Sequence, residues 1–213
     1  MIGYNRYTNQ KIHIESLFLQ NEWKNKMWSF LIGARMDKHN MIDNVIFSPR
    51  ANVRFNPTED INIRASYSSG FRAPQAFDED MHISAVGGEI AMIQRAKDLK
   101  EEKSQSLSTS VDFYHRFKNG IQTNFLIEGF YTSLSDVFVL EDIGKDEQGN
   151  IIKERRNGSG AKVMGLTLEG KSVLSSWLSL QAGVTLQRSR YNEPEKWSDN
   201  ENVPKERKMF RTP

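Results

Sequence analysis

The sequence predicts an all-β protein in which about eight antiparallel strands follow one another in up-and-down order. Several runs alternate apolar and polar residues with a period of two, which is the pattern of a strand with one apolar face. Tight turns and long connections alternate between these runs, and a compact soluble domain rarely contains structureless loops longer than about 12–15 residues. These two observations favour one large sheet whose long connections all lie at the same end.

A hairpin at 46–77 carries the pattern most clearly, with a short turn at 57–60 and a Gly-Phe-Arg-Ala-Pro ending. Its opposite side is polar and contains Arg50, Arg54 and Arg64 among serines and asparagines. A side of this composition faces water or a polar partner rather than a packed core. The apolar side reads Phe47, Pro49, Ala51, Val53 and Phe55 before the turn and Ile61, Ile63, Ala65 and Tyr67 after it.

The other strands are expected at 11–24, 28–36, about 105–118, 121 to about 140, 164–171 and 178–187. The segments without alternation, which are expected to be loops, are 38–45, 75–103, 142–159 and 190–213. Within the second of these, residues 90–99 are expected to form either a short helix or an irregular excursion. The short turns fall at 25–26, 57–60, 119–120 and 175–176, and Asn119-Gly120 is the strongest two-residue hairpin signal.

Connections of this kind are typical of outer-membrane β-barrels, which have short periplasmic turns and long extracellular loops. Aromatic residues follow the same division. Those beside the short turns are Trp23, Trp28, Phe55, Phe117 and Trp177, and those towards the long connections are Tyr67, Phe71 and Tyr131. Two groups separated by the length of a strand are typical of the aromatic girdles at membrane interfaces.

The composition excludes several classes of protein. Hydrophobic residues make up 38% of the 213 residues, below the roughly 45–50% of globular chains, although that range also counts glycine. Twenty-nine basic and 27 acidic residues leave a net charge of +2, so no global field points to nucleic acid. The absence of cysteine excludes disulfides and thiolate metal sites. No apolar run of about 18 residues is present, whereas a membrane-spanning strand needs only about 9–11 residues.

The hairpin also resembles a known family, the TonB-dependent outer-membrane receptors, in particular those of Bacteroidetes. The resemblance is carried by Ser48-Pro49-Arg50, Pro57-Thr58, Arg64-Ala65-Ser66-Tyr67 and Gly70-Phe71-Arg72-Ala73-Pro74. It extends to LFLQNEWK at 17–24, DLKEEKSQS at 98–106 and FRTP at 210–213, so it spans nearly the whole chain.

This resemblance implies a 22-stranded barrel of the cell outer membrane that is plugged by an N-terminal domain. Such a receptor imports a scarce nutrient, of the siderophore-iron, haem or cobalamin type, with energy that the TonB complex relays through the plug. Residues 1–213 are then expected to be a partial barrel domain that lacks the plug, the first strands and the closing C-terminal strands. Its expected partners are outer-membrane lipid, its own plug, the TonB complex and a small nutrient ligand such as a metal chelate, without nucleic acid.

In a closed barrel the apolar side of each strand meets lipid, and the polar side meets water or the plug. Both signs of charge occur on the polar side, as a plug held by hydrogen bonds and ion pairs requires. The residues predicted to face the lumen or the plug are Arg50, Arg54, Arg64, Asp112, Glu128, Glu169 and Lys171.

The segment at 77–82 is the most concentrated set of possible ligand atoms in the sequence. Carboxylate oxygens suit calcium and imidazole suits transition metals. Adjacent residues of an extended stretch point to opposite faces, however, so at most two or three can converge, and we predict no metal site. We expect an extracellular substrate-binding surface in the loop at 76–104 instead, because loops on rigid scaffolds commonly carry binding residues. Its candidate residues are Phe77, Asp78, Glu79, Asp80 and His82.

Three alternatives remain open at this stage. Eight strands suffice for a small closed barrel with an adhesive or structural role. A soluble β-sandwich would require short connections at both ends, and a carbohydrate importer that works with a surface lipoprotein is a variant of the transport hypothesis. The sequence contains no nucleophile elbow, phosphate loop or catalytic dyad, so neither an enzyme nor a bound cofactor is predicted.

Overall fold

The structure of the protein is a computed structural model that describes residues 2–3, 6–7, 11–74, 91–147, 149–195, 202 and 204–208. In chain order, its strands are β1 (Ile2–Gly3), β2 (Arg6–Tyr7), β3 (Ile14–Lys24), β4 (Trp28–His39), β5 (Ile46–Thr58), β6 (Ile61–Arg72), β7 (Ala91–Arg95), β8 (Glu102–Arg116), β9 (Gln122–Ser135), β10 (Phe138–Lys145), β11 (Ile151–Asn157), β12 (Ala161–Val173), β13 (Ser179–Glu195) and β14 (Glu206–Lys208). Within the described ranges, no helix is long and apolar enough to span a membrane.

One large sheet dominates the described part of the chain. Its nine strands run in the order β14-β13-β12-β9-β8-β6-β5-β4-β3, and each neighbouring pair is antiparallel. The eight long strands are those that the alternation predicts, so the predicted all-β, up-and-down architecture is confirmed. β3 pairs only with β4 among the described residues, and the sheet is not closed into a barrel. The small eight-stranded barrel, which needs its first and last strands to pair, is therefore not formed.

The two ends of the sheet differ as the sequence predicts. The short turns lie at one end, which we call the short-turn end. The described parts of the connections 40–45, 73–101 and 136–160 lie at the other, the long-connection end. At the first short turn the Asn25 side chain accepts hydrogen bonds from the amides of Met27 and Trp28, at 2.9 and 2.7 Å. At the third, Gly120 adopts a φ of 87°, a left-handed conformation that glycine accepts without steric cost. Local turn chemistry therefore fixes the register of these hairpins.

Burial is concentrated at the long-connection end. The buried hydrophobic residues of the described chain are Ile42, Ile46, Ala73, Val137 and Ala161, and each lies at that end. The middle part of the large sheet has no core of its own, because it is a single layer. Large apolar side chains along it are exposed, with 80% of Leu19 and 67% of Leu186 accessible.

A second, three-stranded sheet lies within the long connections, in the order β10-β11-β7. β10 and β11 are antiparallel, whereas β11 and β7 run parallel, with Ile151 opposite Ala91 and Arg155 opposite Arg95. This sheet corrects three expectations. Residues 91–95 form a strand rather than a helix or an irregular excursion, 151–157 form a strand within a predicted loop, and the predicted sixth strand is divided at Asp136, which has a φ of 55°.

The predicted last loop is also partly wrong. β13 continues to Glu195, and β14 pairs with it at Arg190 and Glu195. The strand is longer than the alternation indicates because its final residues are polar on both sides, so they carry no period-two signal.

Candidate functional site

The register places the seven predicted charged residues on one face of the large sheet, which we call the polar face. Cross-strand partners share a face, and so do alternate residues of one strand. Arg54 lies opposite Arg64, which lies opposite Ser110. Ser110 in turn lies opposite Glu128. Arg50 shares this face with Arg54 in β5, and Asp112 shares it with Ser110 in β8, because they are alternate residues of one strand. Glu169 and Lys171 of β12 share it as well, since Thr167 on the same strand lies opposite Glu128. Whether this face lines a lumen stays a prediction.

The strongest polar contact on this face joins β6 to β8. Arg64 donates from Nη2 to Asp112 Oδ2 at 2.6 Å, and its Nε donates to Asn62 Oδ1 at 2.8 Å. The Asp112 side chain is 6% exposed and that of Arg64 is 49% exposed. Asn62 also donates to Asn56 Oδ1 at 2.6 Å, which extends the network to β5. The sequence predicts these charges but not their pairing, which depends on register.

Hydroxyl pairs continue the polar face along the strands. Ser66 and Ser108 are joined at 2.7 Å, Ser106 and Thr132 at 2.9 Å, and Thr167 and Thr185 at 3.0 Å. Each pair satisfies two hydroxyl groups across neighbouring strands, so the face is hydrogen-bonded within itself and still polar towards its open side.

A depression of about 230 Å³ lies at the centre of the polar face. Its lining residues are Asn52, Arg64, Ser66, Ser108, Ser110, Leu126 and Glu128. They offer hydroxyls, an amide, one guanidinium and one carboxylate, a set that suits a polar or charged surface rather than an apolar ligand. The polar face therefore has a recess between β5, β6, β8 and β9.

Some charges of the polar face have no hydrogen-bond or ion-pair partner in the part of the chain that the structure describes. They are Arg50, Arg54, Glu128 and Lys171. By contrast, Glu169 accepts a hydrogen bond from Gln181 Nε2 at 2.7 Å. Arg54 faces the like charge of Arg64 directly, which is an unfavourable cross-strand pair. The polar face therefore presents both signs of charge to whatever lies against it.

A buried polar cluster at the long-connection end was not predicted from the sequence. Asp37 is 1% exposed and accepts from Arg35 Nε at 2.7 Å and from the Ser16 hydroxyl at 2.6 Å. His39, also 1% exposed, accepts from the Met41 amide through Nδ1 at 3.0 Å. Both residues continue the polar side of β4 beyond Arg35, so extending the alternation by two steps would have found them.

The predicted substrate-binding residues Phe77, Asp78, Glu79, Asp80 and His82 lie outside the described residues. Their arrangement therefore stays a prediction. In the described ranges, no group of three or more histidines and acidic residues is placed to hold a metal ion.

A single-layer antiparallel sheet with an apolar and a charged face, short turns at one end and long connections at the other, is a section of the wall of a large β-barrel. The family model described as TonB dependent receptor-like, beta-barrel, matches residues 2–211. The chain belongs to this family, which is of the receptor and transporter type.

Solved structures show the same fold. The siderophore receptor PirA from Pseudomonas aeruginosa has a TM-score of 0.70 and 20% sequence identity, over 84% of this chain and 34% of that one. The iron transporter FrpB from Neisseria meningitidis has a TM-score of 0.63 and 16% identity, over 84% of this chain and 26% of that one. The copper transporter OprC has a TM-score of 0.61 and 12% identity, over 84% and 29%. The chain thus spans at most about a third of these structures, and a comparison with curated proteins gave no match.

Proposed function

We propose that this chain forms part of the wall and the extracellular loops of an outer-membrane receptor that imports a scarce nutrient with energy from TonB. The observation that carries the proposal is the division of one sheet into an apolar face and a charged face, in a chain that belongs to the TonB-dependent receptor barrel family. Closure of this sheet by further strands would pair its open edges, which a bilayer requires.

The apolar face supports contact with lipid. Monomeric soluble proteins rarely expose apolar patches larger than a few hundred Å². This face instead exposes a continuous series of large side chains on neighbouring strands. It includes Leu17, Leu19, Phe30, Ile32, Met36, Phe47, Leu107, Phe113, Phe125, Tyr131, Met164, Leu166, Leu180, Val184 and Leu186. Hydrocarbon covers such a series without cost, whereas water does not.

Stacked aromatic rings at the short-turn end support the same orientation. Trp28 lies against Phe55 with a centroid distance of 4.1 Å and against Phe30 at 5.4 Å. Trp is favoured at membrane interfaces, where an apolar ring with one polar group is stabilised. This end would face the periplasm, and the long connections would face the outside.

The charged face is proposed to hold the plug. Arg50 and Arg54 would take carboxylates of that domain, and Glu128 in the central depression would take a cation. An inner wall with fixed charges of both signs would hold the plug domain in one orientation. The same charges would keep the lumen hydrated when the plug moves. Arg64, Asp112 and Glu169 would contribute less, because they already have partners on the wall. Lys171 would take a further carboxylate of the plug.

The cargo is proposed to be a metal chelate of the siderophore-iron, haem or cobalamin type. Similar structures are named for a siderophore, for iron and for copper. The acidic segment at 77–82 and the rest of the loop at 76–104 would contribute to the binding surface on the outside. Asp78, Glu79 and Asp80 are the residues in which a change of charge is most informative.

The proposal is tested by deleting the gene and complementing it with the intact protein or with variants. Uptake of labelled ferric siderophores, haem and cobalamin is measured in cells that carry or lack TonB. We expect one class of ligand to require both the protein and TonB, and deletion of 76–104 to abolish its binding. Uptake that is unchanged in the deletion strain for all three classes would contradict the transport function, and unchanged uptake after loop deletion would contradict only the binding surface.

A further inference from the structure

We propose that the second and third long connections, at 91–101 and 136–160, are joined into one body that moves as a unit above the sheet. We call this body the loop unit. The proposal stands on contacts within the described residues and does not depend on which ligand is transported.

The two connections are joined, first, by strands of the same three-stranded sheet. β7 belongs to the connection between β6 and β8, whereas β10 and β11 belong to the connection between β9 and β12. β7 pairs in parallel with β11 over five residues, from Ala91 opposite Ile151 to Arg95 opposite Arg155. The amide of Ala96 extends the pairing by donating to the Arg155 carbonyl at 2.9 Å. Backbone hydrogen bonds of this kind can be made only when both connections are in place.

The side chain of Asn157 joins the two connections a second time. Its Oδ1 accepts from the Lys100 amide at 2.8 Å, and its Nδ2 donates to the Lys100 carbonyl at 3.1 Å and to the Asp136 carbonyl at 2.7 Å. One amide group therefore ties the end of the second connection to both ends of the third. Aspartate at this position would lose both Nδ2 donations, and alanine would lose all three bonds.

A third set of contacts forms the base of the loop unit. Arg72 ends β6 and Glu102 begins β8, and the two lie opposite each other with an Nη1–Oε2 distance of 3.5 Å. Glu102 Oε1 also accepts from the amide of Phe138, the first residue of β10. The Arg72 guanidinium lies 5.5 Å from the centroid of the Phe138 ring, within the range of a cation–π contact. The beginning of the third connection is thus fixed to the strands that flank the second.

The first long connection is held differently. Asn40 bonds to the Lys11 carbonyl and to the His13 amide, at 2.8 and 3.0 Å, and the carbonyls of Ile42 and Asp43 accept from Lys38 Nζ. The polar contacts of this connection are thus with β4 and with the segment before β3. Its apolar contact is with the end of β6 and the residue that follows, through Ile42 against Phe71 and Ala73, and it does not involve 91–101. A loop unit that includes 91–101 and 136–160 and leaves out 40–45 therefore follows from the hydrogen bonds.

Hydrogen exchange in the intact protein tests the coupling. Asn157→Ala should raise the exchange rates of the amides in β7 and in β11 together, roughly tenfold, because the two hydrogen bonds from Asn157 to Lys100 that join the connections are lost together with its bond to Asp136. Asn150→Ala is the matched control, because among the described residues Asn150 bonds to Asp146 alone, within the turn between β10 and β11. Faster exchange in β11 with unchanged exchange in β7 would overturn the proposal.

A cysteine pair tests the pairing without weakening the fold. Gln94 and Glu154 lie directly opposite each other, and neighbouring strands are about 4.8 Å apart, which is within the range of a disulfide. Gln94→Cys with Glu154→Cys should form a cross-link on mild oxidation of the membrane-embedded protein. Gln94→Cys with Glu141→Cys should not, because Glu141 lies one strand further away, at about 10 Å. Equal cross-linking of the two pairs, or none at 94 and 154, would overturn the proposal.

Discussion

The ring of Phe130 on β9 occupies the space above Gly165 on the neighbouring strand β12. A Cβ atom on Gly165 would lie 2.5 Å from Phe130 Cζ and 2.7 Å from the carbonyl oxygen of Leu186. Both distances are shorter than van der Waals contact, so Gly165 is the residue that lets the aromatic ring lie flat on the polar face. Covering a strand glycine with a cross-strand aromatic ring is a known way to stabilise a sheet.

Gly165→Ala should therefore destabilise the barrel wall. The ring and the Leu186 backbone would both have to shift, and overpacking of this kind costs about 1–3 kcal/mol. The free energy of unfolding is measured by urea titration of the intact protein in lipid vesicles. Gly170→Ala is the control on the same strand, since its Cβ would meet nothing within 4 Å, and it should be neutral or slightly stabilising. Equal losses for the two variants would contradict the role of Phe130.

The ion pair between Arg64 and Asp112 should contribute to the association of β6 with β8. Arg64→Ala leaves a carboxylate that is 6% exposed without its cation, and we expect a loss of about 1–3 kcal/mol, reduced by the solvent around the half-exposed arginine. Arg50→Ala, which removes an arginine without a described partner, should cost less. In a double-mutant cycle, Arg64→Ala combined with Asp112→Ala should recover part of the loss, and strictly additive effects would show that the pair contributes nothing.

Adjacent residues of β12 offer a direct test of which face meets lipid. Leu166 lies near the middle of the strand on the apolar face, with 42% of the residue exposed, and Thr167 lies on the polar face. Leu166→Arg should cost about 2–4 kcal/mol in vesicles if this position is near the bilayer midplane. Thr167→Arg places the same charge opposite Glu128 and should cost little. The reverse order of costs would contradict the proposed orientation.

Arg54 provides a test of whether the polar face holds a plug, and this test separates stability from function. Arg54→Gln removes the like-charge contact with Arg64, so the stability of the wall should stay the same or rise by up to about 1 kcal/mol. The plug should at the same time be held less tightly, and the outer membrane should admit antibiotics too large for ordinary porins. Lys162→Gln, an exposed cation on the opposite face, should leave permeability unchanged. Normal outer-membrane permeability in Arg54→Gln would contradict the proposal that Arg54 helps to hold the plug.

The sequence predicts the large sheet well because the environment on its two faces differs along most of its length. The alternation is regular over 47–55 and again over 61–67, and the short turns have their own local chemistry, as Asn25 and Gly120 illustrate. The second sheet could not be predicted in this way. Its strand IIKERRN has two adjacent isoleucines and then only polar residues, and Arg155 is buried by neighbours from elsewhere in the chain. The break at Asp136 was missed for a related reason, since no glycine or proline marks its positive φ.

The candidate site was predicted in part. Alternation places Arg54, Asp112 and Glu128 on a common face, but it cannot distinguish the charge that is paired within the wall from those that are not. That distinction depends on cross-strand register over several strands. It also depends on burial, as Asp37 shows, because its partners include Ser16 on β3 and Ile46 on β5 as well as the nearby Arg35.

The parallel pairing of β7 with β11 has a consequence for the order of folding. Every pair in the large sheet joins strands that follow one another along the chain once the loop strands are left out, and four of these pairs are closed by short turns. β7 and β11 are separated by the whole of β8, β9 and β10, so their contact closes a much longer segment. The second sheet should therefore become ordered last, after the strands of the large sheet have paired, and amides of β7 should acquire protection later than those of β8 during refolding.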